Sequence, residues 1–162
     1  MLRKLAQITF IGLACLSKSH AADRNDDYFV LNTVAIHFEN YEDRNAAVPG
    51  VGWERSPTRG LGWHVGTFSD SFGSQALYSG VNYATPPARI LTRDVRLLLG
   101  ATVLHKQYHP DTDPETKVVP LPAMEVSLTD KVVLNISGSP EIDYNGSHSN
   151  AVMFFQVKMN VE

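Results

Sequence analysis

Ala151-Val152-Met153-Phe154-Phe155-Gln156-Val157-Lys158-Met159-Asn160-Val161-Glu162 is the stretch that decides the fold class. Ala151, Met153, Phe155, Val157, Met159 and Val161 fall on one face. Asn150, Val152, Phe154, Gln156, Lys158, Asn160 and Glu162 fall on the other. Apolar residues at every second position fit a strand, whose side chains point alternately to opposite faces, and do not fit a helix.

The same period recurs upstream. Segments near 28–38, 50–55, 61–70, 75–84, 94–106, 117–129 and 131–138 alternate in the same manner. Val95, Leu97, Leu99, Ala101 and Val103 share one face, and Val132, Leu134 and Ile136 another. Between them stand turn formers: Ser56-Pro57-Thr58-Arg59-Gly60, Pro86-Pro87, Asp111-Thr112-Asp113-Pro114 and Asn145-Gly146. Eight strands and no helical period predict an all-β fold, an eight-stranded antiparallel up-and-down barrel. Such a barrel turns its apolar face inward if it is a soluble binder of a hydrophobic ligand, or outward if it lies in lipid. Aromatic residues near segment ends (Tyr28, Phe29, Phe38, Trp53, Trp63, Phe68, Phe72, Tyr78, Tyr83, Phe154 and Phe155) favour the outer-membrane type, where aromatic girdles mark the interfaces. Against it, the sequence reads Asn160-Val161-Glu162 where such barrels usually finish on an aromatic residue.

Residues 1–21 read as a signal peptide. Arg3 and Lys4 precede the apolar run Leu5–Leu16, and Ser19 and Ala21 stand at the cleavage positions. Cys15 suggests a lipoprotein site, but Gly12 stands three residues earlier where Leu is expected. Residues 22–162 then form a single barrel domain in the outer membrane or, as the alternative, in the periplasm. The leader holds three basic groups, no acidic ones and the one cysteine, Cys15. Its removal leaves 11 basic and 17 acidic side chains, net −6, which excludes nucleic acid as an expected partner.

Three features carry possible chemistry. Phe68-Ser69-Asp70-Ser71-Phe72-Gly73-Ser74 reads as a hairpin turn, or as a hydroxyl beside a carboxylate at a barrel rim. His37 lies near the end of the first strand. If strands one and three run in the same direction, His37 and Asp70-Ser71 share that rim, a base beside a nucleophile. In Val119-Pro120-Leu121-Pro122, prolines two apart remove amide donors from one and the same ladder. Either a lateral gap between two strands results, or the strand starts late after the loop 107–117. His105, His109, Asp111, Asp113 and Glu115 are close in sequence but span strand and loop, so no metal site is expected.

On these residues the chain resembles the outer-membrane lipid A palmitoyltransferases, eight-stranded barrels that move a palmitoyl chain from a phospholipid to lipid A. Ile36-His37-Phe38 is similar to the family's first-strand histidine segment. Asp43-Arg44 with Pro49-Gly50-Val51-Gly52 is similar to its approach to strand two, Phe68–Phe72 to its Phe-x-Asp-Ser-aromatic motif, and Val119–Pro122 to its Pro-Leu-Pro run. The resemblance implies a catalytic set of His37, Asp70 and Ser71, with His37 as base, Ser71 as nucleophile or positioning hydroxyl, and Asp70 orienting the imidazole. It also implies lateral lipid access beside Pro120, Pro122 and Pro140, and no cofactor or metal. Phospholipid and lipid A would be the partners of a monomeric barrel. The chain departs from the family in lacking a helix before strand one and in placing Asn82 where the pocket floor has glycine. Two other functions stay open: a non-catalytic outer-membrane barrel with a surface-binding or protective role, and a soluble lipocalin-like binder.

Overall fold

The computed structural model describes residues 25–39, 44–144 and 147–161. The expected signal peptide, Asp43 and the Asn145-Gly146 turn lie outside the described residues. Among the described residues eleven strands follow one another: β1 Asn25–His37, β2 Ala47–Pro57, β3 Gly60–Ser69, β4 Gln75–Ala84, β5 Ala88–Ile90, β6 Arg93–Lys106, β7 Glu115–Ser127, β8 Val132–Ser139, β9 Ile142–Tyr144, β10 Ser147–Ser149 and β11 Val152–Asn160. No helix occurs among the described residues.

Eight of these strands close a barrel. Each pairs antiparallel with its neighbour in chain order, and β4 pairs with β6 while β1 pairs with β11 to complete the circle. The short β5 extends β6 at one end, and β9 with β10 forms a separate two-stranded hairpin between β8 and β11. The expected eight-stranded antiparallel barrel is therefore the fold. Strand β2 extends beyond the expected 50–55 at both ends through its pairing with β1, Ala47 opposite Val34 and Ser56 and Pro57 opposite Asp26 and Asn25.

Side chains alternate between two unlike environments. Outward are Leu61 (72% exposed), Leu99 (68%) and Val118 (70%), with Val34, Ile36, Val51, Val65, Leu77, Val81, Leu97 and Val103. Inward are Glu54, Asn82, Thr102, Glu125, Asn135 and Lys158, the last only 1% exposed. The apolar face thus points away from the lumen. Of the aromatic residues near the segment ends, Phe38, Trp53, Trp63 and Tyr83 are exposed, whereas Tyr28 and Phe68 are buried inside.

The interior is layered. At the end where β1 begins, Lys158 Nζ donates to Glu54 Oε2 and Glu125 Oε1, both at 2.5 Å, and Arg96 pairs with Glu125. Buried charges persist only when paired in this way. Farther along, Asn135 donates to Gln156 at 2.6 Å and Gln156 to Asn32 at 2.5 Å. Toward the opposite end an apolar layer of Ala35, Val48, Phe68, Ala76, Leu104, Val119 and Val152 fills the barrel.

One irregularity changes what the first strand presents. Asn32 pairs with Gln156 and Val34 with Phe155, so Thr33 is an extra residue, a bulge, relative to β11. Tyr28 and Val30 point inward before it, and Ala35 and His37 point inward after it. The inward set moves from even to odd numbers at Thr33.

Candidate functional site

Above the apolar layer, three connections converge on one rim, β1 to β2, β3 to β4 and β6 to β7. β1 delivers His37, and its partner across the seam is Val152 of β11. The turn from β3 to β4 delivers Asp70 and Ser71, 1% and 5% exposed. The loop before β2 delivers Arg44, and the end of β6 delivers Lys106, followed by Gln107 and Tyr108.

His37 Nε2 lies 2.6 Å from Ser71 Oγ, across 34 residues of sequence. On the other side of the ring, Arg44 Nη1 donates to His37 Nδ1 at 3.2 Å. A guanidinium has only donors to give, so Nδ1 is an acceptor without a proton. A neutral imidazole then carries its proton on Nε2 and donates it to Ser71 Oγ. In this arrangement the ring holds Ser71 in place and is not set to take its proton.

Asp70 lies beside this pair with a different task. Its Oδ1 accepts from the backbone N–H of Phe72 and Ser74, each at 2.9 Å, and its Oδ2 from the N–H of Gln107 at 3.1 Å. Its own N–H donates to Ser74 O at 2.8 Å, and its carbonyl accepts from Gly73 at 3.0 Å. Gly73 adopts φ +85°, the left-handed region that a side chain disfavours. Asp70 therefore builds the turn that presents Ser71 and ties it to the loop after β6. The position expected for Asp70, at Nδ1 of the imidazole, is held by Arg44. Ser71 O also accepts from Asn45 N–H at 2.9 Å, which pins the loop before β2 over the turn.

The sequence reading named Arg44 only within the Asp43-Arg44 stretch, without a role, and did not single out Lys106 or Lys117. Arg44 stacks over Phe72, its guanidinium 5.2 Å from the ring centroid. Lys106 Nζ lies 4.9 Å from the centroid of Tyr108 and Lys117 Nζ 4.0 Å from it. Burial, with the Glu115 carboxylate adding to it, pushes the Tyr108 phenol up to about 12, so the ring stays neutral between two ammonium groups. One signal for Lys106 exists in the sequence: it falls on the inward register of Leu98, Thr102 and Leu104.

Pro120 and Pro122 lie on the outer face of β7 and are exposed. The β6–β7 register runs unbroken through both, with Ala101 opposite Pro120 and Leu99 opposite Pro122. The β7–β8 register stops at Ala123 opposite Ser137. Residues 115–122 thus have no β8 partner, at the same end of the barrel as His37 and Ser71. β7 is paired with β6 from Glu115 onward, so the strand does not start late, and its edge toward β8 is unpaired over 115–122. Pro140, exposed, follows β8 at that end.

Asn82 lies on β4, buried, six residues beyond Ala76. Its Nδ2 donates to Glu54 Oε1 at 3.1 Å, and its Oδ1 has no partner among the described residues. It lines a cavity of about 80 Å³ together with Phe68, Tyr78, Leu98, Leu104 and Phe154. The walls mix these apolar side chains with Asn32, His64, Thr102, Asn135 and Gln156, and Asn82 is joined to the buried ion pairs through Glu54.

No protein-family model matches the chain, and no curated protein matches it. The functional reading therefore rests on the residues themselves.

Proposed function

We propose that this protein is an outer-membrane barrel that transfers a fatty acyl chain from a phospholipid to lipid A. The observation that carries the enzymatic part is the 2.6 Å separation of His37 Nε2 and Ser71 Oγ at a rim beneath which the lumen is apolar. A hydroxyl and an imidazole in direct reach are what acyl transfer through a serine needs.

Three further observations support the reading. The outward band of leucine, valine and tryptophan over an ion-paired lumen is the distribution expected of a barrel in lipid. A soluble ligand-binding barrel would carry the reverse. The unpaired stretch of β7 beside Pro120 and Pro122 offers an acyl chain a lateral path toward the rim. The apolar layer under Ser71 keeps water from an acyl intermediate, which favours transfer over hydrolysis.

In this scheme His37, in the tautomer with a free Nε2 lone pair, takes the Ser71 proton as Oγ attacks the ester carbonyl. The lysophospholipid alkoxide leaves with that proton. The acceptor hydroxyl then loses its proton to His37 as it takes the acyl group, and Ser71 regains a proton. Asp70 holds the turn that aims Ser71.

A second reading, a non-catalytic outer-membrane barrel, is favoured by one observation: the imidazole is held by Arg44 in the tautomer that cannot accept from Ser71. Mass spectrometry of lipid A from cells expressing the chain separates the two. The enzyme reading expects an added acyl mass that disappears in Ser71→Ala and in His37→Ala. An unaltered lipid A alongside a correctly inserted barrel would overturn it.

A further inference from the structure

We infer that Arg44 and Lys106 form a phosphate site whose occupation moves Arg44 off His37 and thereby switches the imidazole tautomer. The inference rests on the reading of His37 and Ser71 as an acyl-transfer pair, and adds to it the chemical group that the rim senses.

The geometry sets up the conflict that the site resolves. Arg44 Nη1 at 3.2 Å from Nδ1 keeps the proton on Nε2, which faces Ser71 Oγ at 2.6 Å. A base toward Ser71 requires the opposite tautomer, with the proton on Nδ1 and the lone pair on Nε2. Arg44 stands in the way of that proton. Among the described residues its other contact is the Phe72 ring, and it lies in a loop outside the barrel strands.

A second cation shares its cavity. Lys106 is 8% exposed, and among the described residues its ammonium makes no hydrogen bond or ion pair beyond its place over Tyr108. His37, Arg44, Lys106, Tyr108 and Asn150 line one cavity at the rim. Among the described residues, the carboxylate acting on Lys106 is that of Asp70, whose oxygens also accept from three backbone N–H groups. Two cations against that one carboxylate leave an excess of positive charge at the cavity, and a guanidinium fork matches phosphate oxygens.

A phosphate bound between Lys106 and Arg44 exchanges a charge-to-neutral hydrogen bond, Arg44 to imidazole, for a charge-to-charge one. The vacated Nδ1 takes up a proton from solvent as Nε2 releases its own, so the ring stays neutral. The Nε2 lone pair then faces the Ser71 hydroxyl. Arg44 is on this account a positioning residue, acting through His37.

The test is spectroscopic and needs no turnover. The full-length protein, labelled with nitrogen-15 histidine, is folded in dodecyl maltoside micelles, and His37 is assigned by its loss in His37→Asn. Dodecyl phosphate and, separately, inorganic phosphate are titrated in. The expected result is a single Nε2–H tautomer at the start, with the ratio of the two tautomers changing by about tenfold or more as phosphate binds, the effect of losing one hydrogen bond to a charged group. A response to dodecyl phosphate alone assigns the site to a lipid headgroup, and an equal response to inorganic phosphate assigns it to the free ion. Arg44→Ala, which removes the donor to Nδ1, should begin with the mixed tautomers and show no response, and Lys106→Gln should raise the phosphate concentration needed by about tenfold. A wild-type imidazole unmoved by either phosphate overturns the inference, whether or not the variants fold. So does a folded Arg44→Ala that keeps the Nε2–H tautomer alone. A positive tautomer response with unaltered lipid A would remove the acyltransferase reading and leave the phosphate site standing.

Discussion

Thr33 stands four residues before His37 as the extra residue of a β-bulge, and it decides which way His37 points. Paired without the bulge, β1 would keep Tyr28, Val30 and Asn32 inside and carry His37 to the outer face, since a one-residue slip reverses every side chain beyond it. With it, His37 enters the lumen and meets Ser71. Thr33 itself is anchored, its hydroxyl donating to Phe155 O at 2.8 Å.

Deletion of Thr33 should therefore turn position 37 outward and leave the barrel closed. A fluorophore on Cys in the His37→Cys protein, read against a brominated detergent, should be weakly quenched with Thr33 present and strongly quenched without it. Equal quenching in both would show that the bulge does not set the direction.

Removing the central cation of the buried cluster should cost more than any single surface change. In Lys158→Met, Glu54 and Glu125 lose the ammonium that each holds at 2.5 Å, while Arg96 retains Glu125 alone. Breaking such a pair from one side costs about 3–5 kcal/mol. Urea unfolding of the folded protein in micelles should show a midpoint lowered accordingly, and an unchanged midpoint would mean that the lumen at that end is wet and loosely held.

An outward charge tests the membrane reading directly. Val81 is half exposed, mid-strand, opposite Trp63 and Ala101. Val81→Arg should lower stability in phospholipid vesicles by about 2–4 kcal/mol, the cost of a guanidinium near the bilayer midplane. The same substitution on a barrel surrounded by water would be near neutral, so a near-neutral result argues for the soluble alternative.

The lateral gap makes a local prediction. Pro120→Ala with Pro122→Ala restores two amide donors on the edge of β7 that faces β8. The doubly substituted protein should fold, and its amides at 120 and 122 should exchange rapidly if Ser139 and the residues after it stay apart from β7. Slow exchange, with a fall in acyl transfer, would show that the two prolines hold the gap open.

Much of this architecture was legible in the chain. The period-2 pattern of Met153, Phe155, Val157 and Met159 recovers β11, and the same pattern recovers the seven other barrel strands to within a few residues, because strand side chains alternate strictly. The Pro120–Pro122 pair announced the missing ladder for an equally local reason: proline has no amide to give. Asp70, Ser71 and His37 could be placed at one rim by counting strand directions.

What alternation leaves undetermined is which face turns inward, since it is symmetric between the two. The closed barrel puts Lys158, Glu125 and Glu54 together inside, where each charge finds a partner, and so resolves the ambiguity. Tertiary structure alone also decides the bulge at Thr33, because an inserted residue interrupts a pattern without any residue type of its own. It alone brings Arg44 to His37 Nδ1 and gives the Asp70 carboxylate to three backbone amides, since hydrogen bonds of that kind depend on where loops fold back. Local sequence set the strands and their breaks; the closure of the barrel set the partners, because only closure brings residues far apart in the chain within bonding distance.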